Sequence, residues 1–268
     1  MKIISKHHSF FPNKLIKGNI TMEEKAKKKL QTEQFSQSIS NFVARAEERN
    51  DKLYTLDQLS NTYKIQRRRI YDVLNVMEAI GACQRTVSDS IIWLGLDNVR
   101  SLLFKLQKEN GVNQADNPIV MIVPNNVCIS MGQLTQSLLL CFLSLQTKSL
   151  DIKQVSYFLS RTNNRYKTTL CKLYQITHIL EAIGIISHKN KVGEVCINDS
   201  FFAVIPISHT VEIQGHSPYS IESLLNRPLS DTEGIVAQRR SDFMVAAKQN
   251  QFQQYFMYPI QPAAVKTS

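Results

Sequence analysis

A sixteen-residue segment occurs twice in this chain, and the repeat limits the possible architectures more than any other feature. RRRIYDVLNVMEAIGA, Arg67 to Ala82, aligns without a gap with LCKLYQITHILEAIGI, Leu170 to Ile185. Tyr71 matches Tyr174, Glu78 matches Glu181 and Gly81 matches Gly184, at a constant offset of 174 − 71 = 184 − 81 = 103. Two further helical patterns precede each copy, so the repeating unit is a compact three-helix module. Two such units are too few for a solenoid, which needs at least about three repeats to bury its core.

In the first unit, Phe35 to Arg49 carries Ile39, Phe42, Val43 and Ala46 at amphipathic helix spacing, and Asn50 and Asp51 break it. Thr55, followed three residues later by Gln58, forms a capping box ahead of a short helix on Leu56, Leu59 and Tyr63. A third helix runs from Gln66 to Ile80 and ends at Gly81, a residue suited to a left-handed cap. Ala82 to Val87 and Ile91 to Gly95 then flank Ser88, Asp89 and Ser90 as a β-hairpin. The second unit repeats the order: Leu134 to Leu145; Asp151 as cap for Ile152 to Leu159; Thr168 to Ile183 with Gly184 as stop; and a hairpin of Ile185 to His188 and Glu194 to Ile197 around Lys189, Asn190 and Lys191. Three helices followed by a hairpin is the order of a winged helix. The expected fold is therefore α+β and mainly helical, with two tandem winged-helix domains at residues 32–96 and 130–198.

The rest of the chain reads differently. Residues 1–31 hold eight lysines and two glutamates, with EKAKKK at Glu24 to Lys29, and are expected to be a disordered basic arm or nuclear-import patch. Residues 97–129 form a linker with a short helix on Val99, Leu102, Leu103 and Leu106, broken by Gly111, Asn113, Asn117 and Pro118. At fewer than two heptads it falls short of the roughly three or four that a coiled coil needs. Residues 199–268 hold five of the eight prolines and a glutamine-rich stretch, and are expected to be mostly disordered.

Composition excludes several classes of function. With 32 Lys+Arg against 22 Asp+Glu the formal charge is +10, which favours a polyanionic partner. The longest apolar run, Leu138 to Leu143, is far below the roughly 20 residues of a membrane span, and Met1 to Phe11 has no sustained apolar core for a signal peptide. Five cysteines without a C-x-x-C pair and six scattered histidines suggest neither disulfides nor a metal site. No phosphate-binding glycine loop, carboxylate cluster or nucleophile with its base is present, so neither an enzyme nor a cofactor is expected.

On a helical wheel, Gln66 to Ile80 places Ile70, Val73, Leu74, Met77 and Ile80 on one stripe and Arg68, Tyr71, Asp72, Asn75 and Ala79 on the opposite one. The second stripe carries a guanidinium, a phenol and an amide, groups that reach guanine edges, phosphates and bases in a major groove. Arginine fits because its planar fork donates two hydrogen bonds to guanine O6 and N7. Asp72 stands at i+4 from Arg68 and i+3 from Arg69, where it would orient either one. Charge alone leaves a solvated surface as an equal reading. Cys171 and His178, on the matching stripe of the second copy, read as ordinary surface residues.

RRRIYDVLNVMEAIG resembles the recognition-helix signature of the E2-factor/DP transcription factors. Arg68, Arg69, Tyr71 and Asp72 fall on that family's R-R-x-Y-D positions, and Asn75, Val76, Glu78, Ile80 and Gly81 on the N-V-x-E-x-I-G that follows. The resemblance covers about residues 33–96 and implies a winged helix that reads a GC-rich site in double-stranded DNA, a nuclear location and a role in cell-cycle transcription. On that basis Arg68, Arg69, Tyr71 and Asn75 read bases, Asp72 orients and Arg67 grips the backbone. MGQLTQ, Met131 to Gln136, is similar to the S-L-G-x-L-T opening of the family's first helix. Two modules in one chain look like the atypical branch, in which the tandem replaces a heterodimer. In the second copy, however, Cys171 and Lys172 replace the arginine pair, Gln175 the aspartate and His178 the asparagine. Arg161, Arg165, Lys167, Lys172 and Tyr174 are therefore expected to hold phosphates only. A DP-like or other protein partner is the alternative source of a second half-site. A winged-helix protein-interaction subunit with weak DNA binding is the alternative function.

Overall fold

The computed structural model describes residues 22–49, 53–86, 89–123, 129–189, 191–207 and 232–257. The chain divides into two compact units, residues 1–35 and 36–268. The described part of the first unit is the leading half of helix α1, Met22–Glu48. Residues 22–31 of the expected disordered arm are thus helical. Glu, Lys and Ala are all good helix formers, and this stretch runs without a break into the amphipathic segment behind it. Residues 1–21 lie outside the described residues.

The first module is built around the apolar face of α1. Ile39, Phe42, Val43 and Ala46 are buried, and the Phe42 ring meets Tyr54, Tyr63 and Trp93 edge-on at centroid distances of 5.3–5.5 Å. Glu47 closes the far side, accepting hydrogen bonds from Trp93 Nε1 at 3.1 Å and from the Leu96 backbone at 2.8 Å. Helix α2, Leu56–Tyr63, starts at the Thr55 capping box, with both reciprocal hydrogen bonds made. Helix α3, Arg67–Ala79, buries Ile70, Val73, Leu74 and Met77. Its chain reverses through Gly81 at φ +74°, where a Cβ would also crowd Asn98 and Leu102 at 3.3 Å. The hairpin is present as β2, Cys83–Arg85, and β3, Ser90–Trp93. A third strand, β1 at Leu53–Thr55, pairs with β3 from the other side, giving the order β1-β3-β2. Three residues are too few to show the alternation that marks a strand in sequence.

Helix α4, Asp97–Glu109, and the short α5, Ile119–Ile122, lead to the second set of elements. These are α6, Met131–Ser144; β4, Ser149–Asp151; α7, Ile152–Leu159; α8, Tyr166–Ala182; β5, Ile186–His188; and β6, Glu194–Ile197. The sheet order β4-β6-β5 mirrors the first. Small details repeat as well: the Arg85 amide donates to Glu78 and the His188 amide to Glu181, each pair offset by 103. Asp151 caps α7 through Lys153 and Gln154. Helix α6 is buried on nearly every side because it packs against α3, α4, α7 and α8, which explains the apolar run Leu138 to Leu143.

The packing of α6 on α3 revises one sequence expectation. Ala79, assigned to the open stripe, is buried beneath α6, as is Val76. The helical wheel records only the module's own core and misses this neighbour. A second revision concerns residues 199–268. Helix α9, Thr232–Met257, lies against α5 and α7 where disorder was expected. Its anchors are largely polar. Arg239, only 2% exposed, donates to the carbonyls of Val112, Gln114 and Asn117 at 2.6–3.1 Å. Arg240 caps the end of α6 through the carbonyls of Leu145 and Gln146, both at 2.9 Å. Asn250 Nδ2 donates to the Tyr157 carbonyl and to Ser160 Oγ, and Phe243 packs on Phe158. Residues 208–231 and 258–268 of that tail lie outside the described residues.

Candidate nucleic-acid interface

Three arginines occupy the first turn of α3, and no acidic residue accompanies them there. The partial positive charge of a helix N-terminus disfavours each such cation by about 0.3–1 kcal/mol. Three successive cations therefore make this helix end strongly positive. Arg67 is partly neutralised by Asp57 at 3.1 Å, with Asp89 at 3.9 Å. Arg68 and Arg69 are exposed. Tyr71 is 39% exposed, one turn further on the same face. Asp72 and Asn75 are half-buried on that face.

Sequence reasoning missed one residue of this surface. Arg85, on β2, donates from Nη2 to Asn75 Oδ1 at 2.6 Å and pairs through Nε with Glu78 at 3.5 Å. Its clue was positional: it stands seven residues after Glu78, as His188 does after Glu181. His188 pairs with Glu181 through Nδ1 at 2.8 Å.

On the second module the expected phosphate contacts divide into two groups. Arg165 and Lys167 are exposed, as is Tyr174. Arg161 turns inward: it donates to the carbonyls of Phe158, Val120 and Val123 and stacks over the Phe158 ring at 4.2 Å. Burial pulls its guanidinium pKa down. Lys172 points back to the Ile129 carbonyl. In this arrangement their donors meet the backbone carbonyls of Phe158, Val120, Val123 and Ile129. Cys171 is exposed, whereas burial pushes the thiols of Cys83 and Cys141 up to about 12 and keeps them protonated at neutral pH. Among the described residues no group of three or more His, Cys, Asp or Glu is placed to hold a metal ion, and no helix is long and apolar enough to cross a membrane.

The two modules meet through matched surfaces. On α1, Ser40 Oγ donates to the Ala182 carbonyl of α8 at 2.7 Å, and Ser36 Oγ lies 3.0 Å from His178 Nε2. On α6, Gln136 Nε2 donates to the Ala79 carbonyl of α3 at 3.3 Å, and a Cβ at Gly132 would stand 3.5 Å from the Asn75 carbonyl. The positions correspond: 132 − 36 = 136 − 40 = 96, and 178 − 75 = 182 − 79 = 103. Each module's first helix thus touches the equivalent pair of residues on the other's third helix. This is the reciprocity of a twofold interface, built within one chain. His178, expected on the open surface, belongs to this contact.

Comparison with known proteins follows the same boundaries. Residues 18–95 match the winged-helix DNA-binding domain model of the E2-factor/DP (E-two-F/DP) family. The chain is 41% identical over 54 residues to transcription factor efl-3 of Caenorhabditis elegans, covering 20% of this chain and 9% of that protein. It is 31% identical over 70 residues to the transcription-factor-like protein E2FE of Arabidopsis thaliana, covering 26% and 17%. Transcription factor E2F7 of Xenopus tropicalis is 21% identical over 206 residues, covering 60% of this chain, a longer span than residues 18–95, and 24% of that protein. The chain spans no more than about a quarter of the length of these relatives.

Proposed function

We propose that this chain, whose residues 18–95 match the winged-helix DNA-binding domain model of the E2-factor/DP family, is a sequence-specific regulator of transcription that reads a GC-rich duplex through α3. The exposed surface of Arg68, Arg69 and Tyr71 at the start of that helix carries the reading. Two guanidiniums there match guanine O6 and N7, and Arg67 adds a contact to the phosphates. Such a protein acts in the nucleus, and the family resemblance implies control of cell-cycle genes.

The second set of elements is a further winged helix in tandem with the first, supported by the repeated element order and sheet order. Its recognition helix lacks the arginine pair, so it contributes phosphate contacts through Arg165, Lys167 and Tyr174 rather than base reading. The reciprocal packing of α1 on α8 and α6 on α3 supports intramolecular pairing of the modules in place of a separate DP-like subunit. Selection from a randomised duplex pool with the purified chain alone tests this reading. It predicts enrichment of one GC-rich motif by a single chain per duplex. Failure to enrich any motif contradicts base reading, and enrichment only with an added partner contradicts the intramolecular pairing.

A further inference from the structure

The contact between Arg85 and Asn75 has a chemical direction. A guanidinium can only donate, so the Asn75 atom that meets Nη2 at 2.6 Å is the carbonyl Oδ1. The two Nδ2 hydrogens are left for another partner. Asparagine reads adenine with both ends of its amide, accepting from N6 and donating to N7. Guanine presents two adjacent acceptors, O6 and N7, in the same groove. We propose that Arg85 is a positioning residue that, by setting its guanidinium against Asn75 Oδ1, biases Asn75 toward donating through Nδ2, so that Asn75 favours a G·C pair over A·T. This rests on α3 lying in the major groove as proposed above.

The second module separates this role from a structural one. There His188 replaces Arg85 and His178 replaces Asn75. His188 keeps both a side-chain contact from Nδ1 and a backbone hydrogen bond to Glu181, so the strand stays clamped to its helix without an arginine. The clamp therefore needs only a short side chain that brings a nitrogen to the glutamate. The longer arm of Arg85, which keeps its own Glu78 pair and also reaches Asn75, adds something the clamp does not require. The Arg85→His variant should preserve the fold and remove only the Asn75 contact.

The test is randomised-duplex selection with the full chain as wild type, Asn75→Ala, Arg85→Ala and Arg85→His. Asn75→Ala should flatten one base pair of the motif. At that pair the wild type should favour G·C over A·T by about tenfold, within the range of one polar base contact. Both Arg85 variants should bring A·T to parity there while leaving the pairs read by Arg68 and Arg69 unchanged. The proposal is overturned if the Arg85 variants weaken all sequences evenly, if Asn75→Ala changes no preference, or if the wild type prefers A·T at that pair. A wild type that enriches no motif overturns this proposal together with the functional reading beneath it, and is told apart by that result.

Discussion

At the scale of single residues, the same side-chain type is placed in two opposite ways. Arg165 is exposed, whereas Arg161 spends its donors on three carbonyls and its plane on Phe158. Arg165→Ala should weaken binding to all duplexes alike and lower the slope of log K against log salt by about one. Arg161→Ala should leave that slope unchanged and instead lower the stability of the chain by about 1 kcal/mol, because two part-buried carbonyls and one exposed one lose their donor. Salt titrations and chemical denaturation of both variants check the pair of outcomes; a loss of salt slope for Arg161→Ala would contradict its structural role. Sequence alone did not separate them, since both sit in one short segment and the Val120 and Val123 carbonyls come from about 40 positions away. Arg68, Arg69 and Tyr71 were legible because their exposure follows from the helix's own apolar stripe.

At the scale of elements, legibility follows the range of the interactions that define each one. The Thr55 box, the Asp151 cap and the Gly81 and Gly184 stops involve neighbours within a few residues, and all four lie where their patterns indicate. Strands β1 and β4 exist only because β3 and β6 stand ready to pair with them. Helix α9 is the extreme case. Its main anchor, Arg239, meets carbonyls more than 120 residues earlier, and nothing local marks it among prolines and glutamines. Arg239→Ala leaves three carbonyls without that donor and should destabilise the chain by about 3 kcal/mol or more. Arg239→Lys should not rescue it, because an ammonium cannot span three diverging acceptors. Denaturation midpoints and hydrogen exchange of the 112–117 backbone measure this; a change within about 0.5 kcal/mol would mean that α9 is a passive appendage.

At the scale of the whole molecule, two sets of elements with the same order and the same sheet order carry different side chains on their third helices. The two sets meet through equivalent contacts, Ser40 with Ala182 and Gln136 with Ala79, while the second carries Cys171 and Lys172 where the first has Arg68 and Arg69. Burial of α6 explains this pairing, since its apolar face serves both modules at once. On the proposed reading, α3 carries sequence selection while the rest of the chain supplies geometry and charge. The most direct test is the ratio of affinities for the selected duplex and a random duplex, measured for wild type and Arg68→Ala at one fixed salt concentration. Loss of one forked contact to guanine, about 1–3 kcal/mol, should lower that ratio by about 5- to 150-fold while affinity for the random duplex changes little. An equal loss on both duplexes, with the ratio unchanged, would show that α3 holds DNA without reading it.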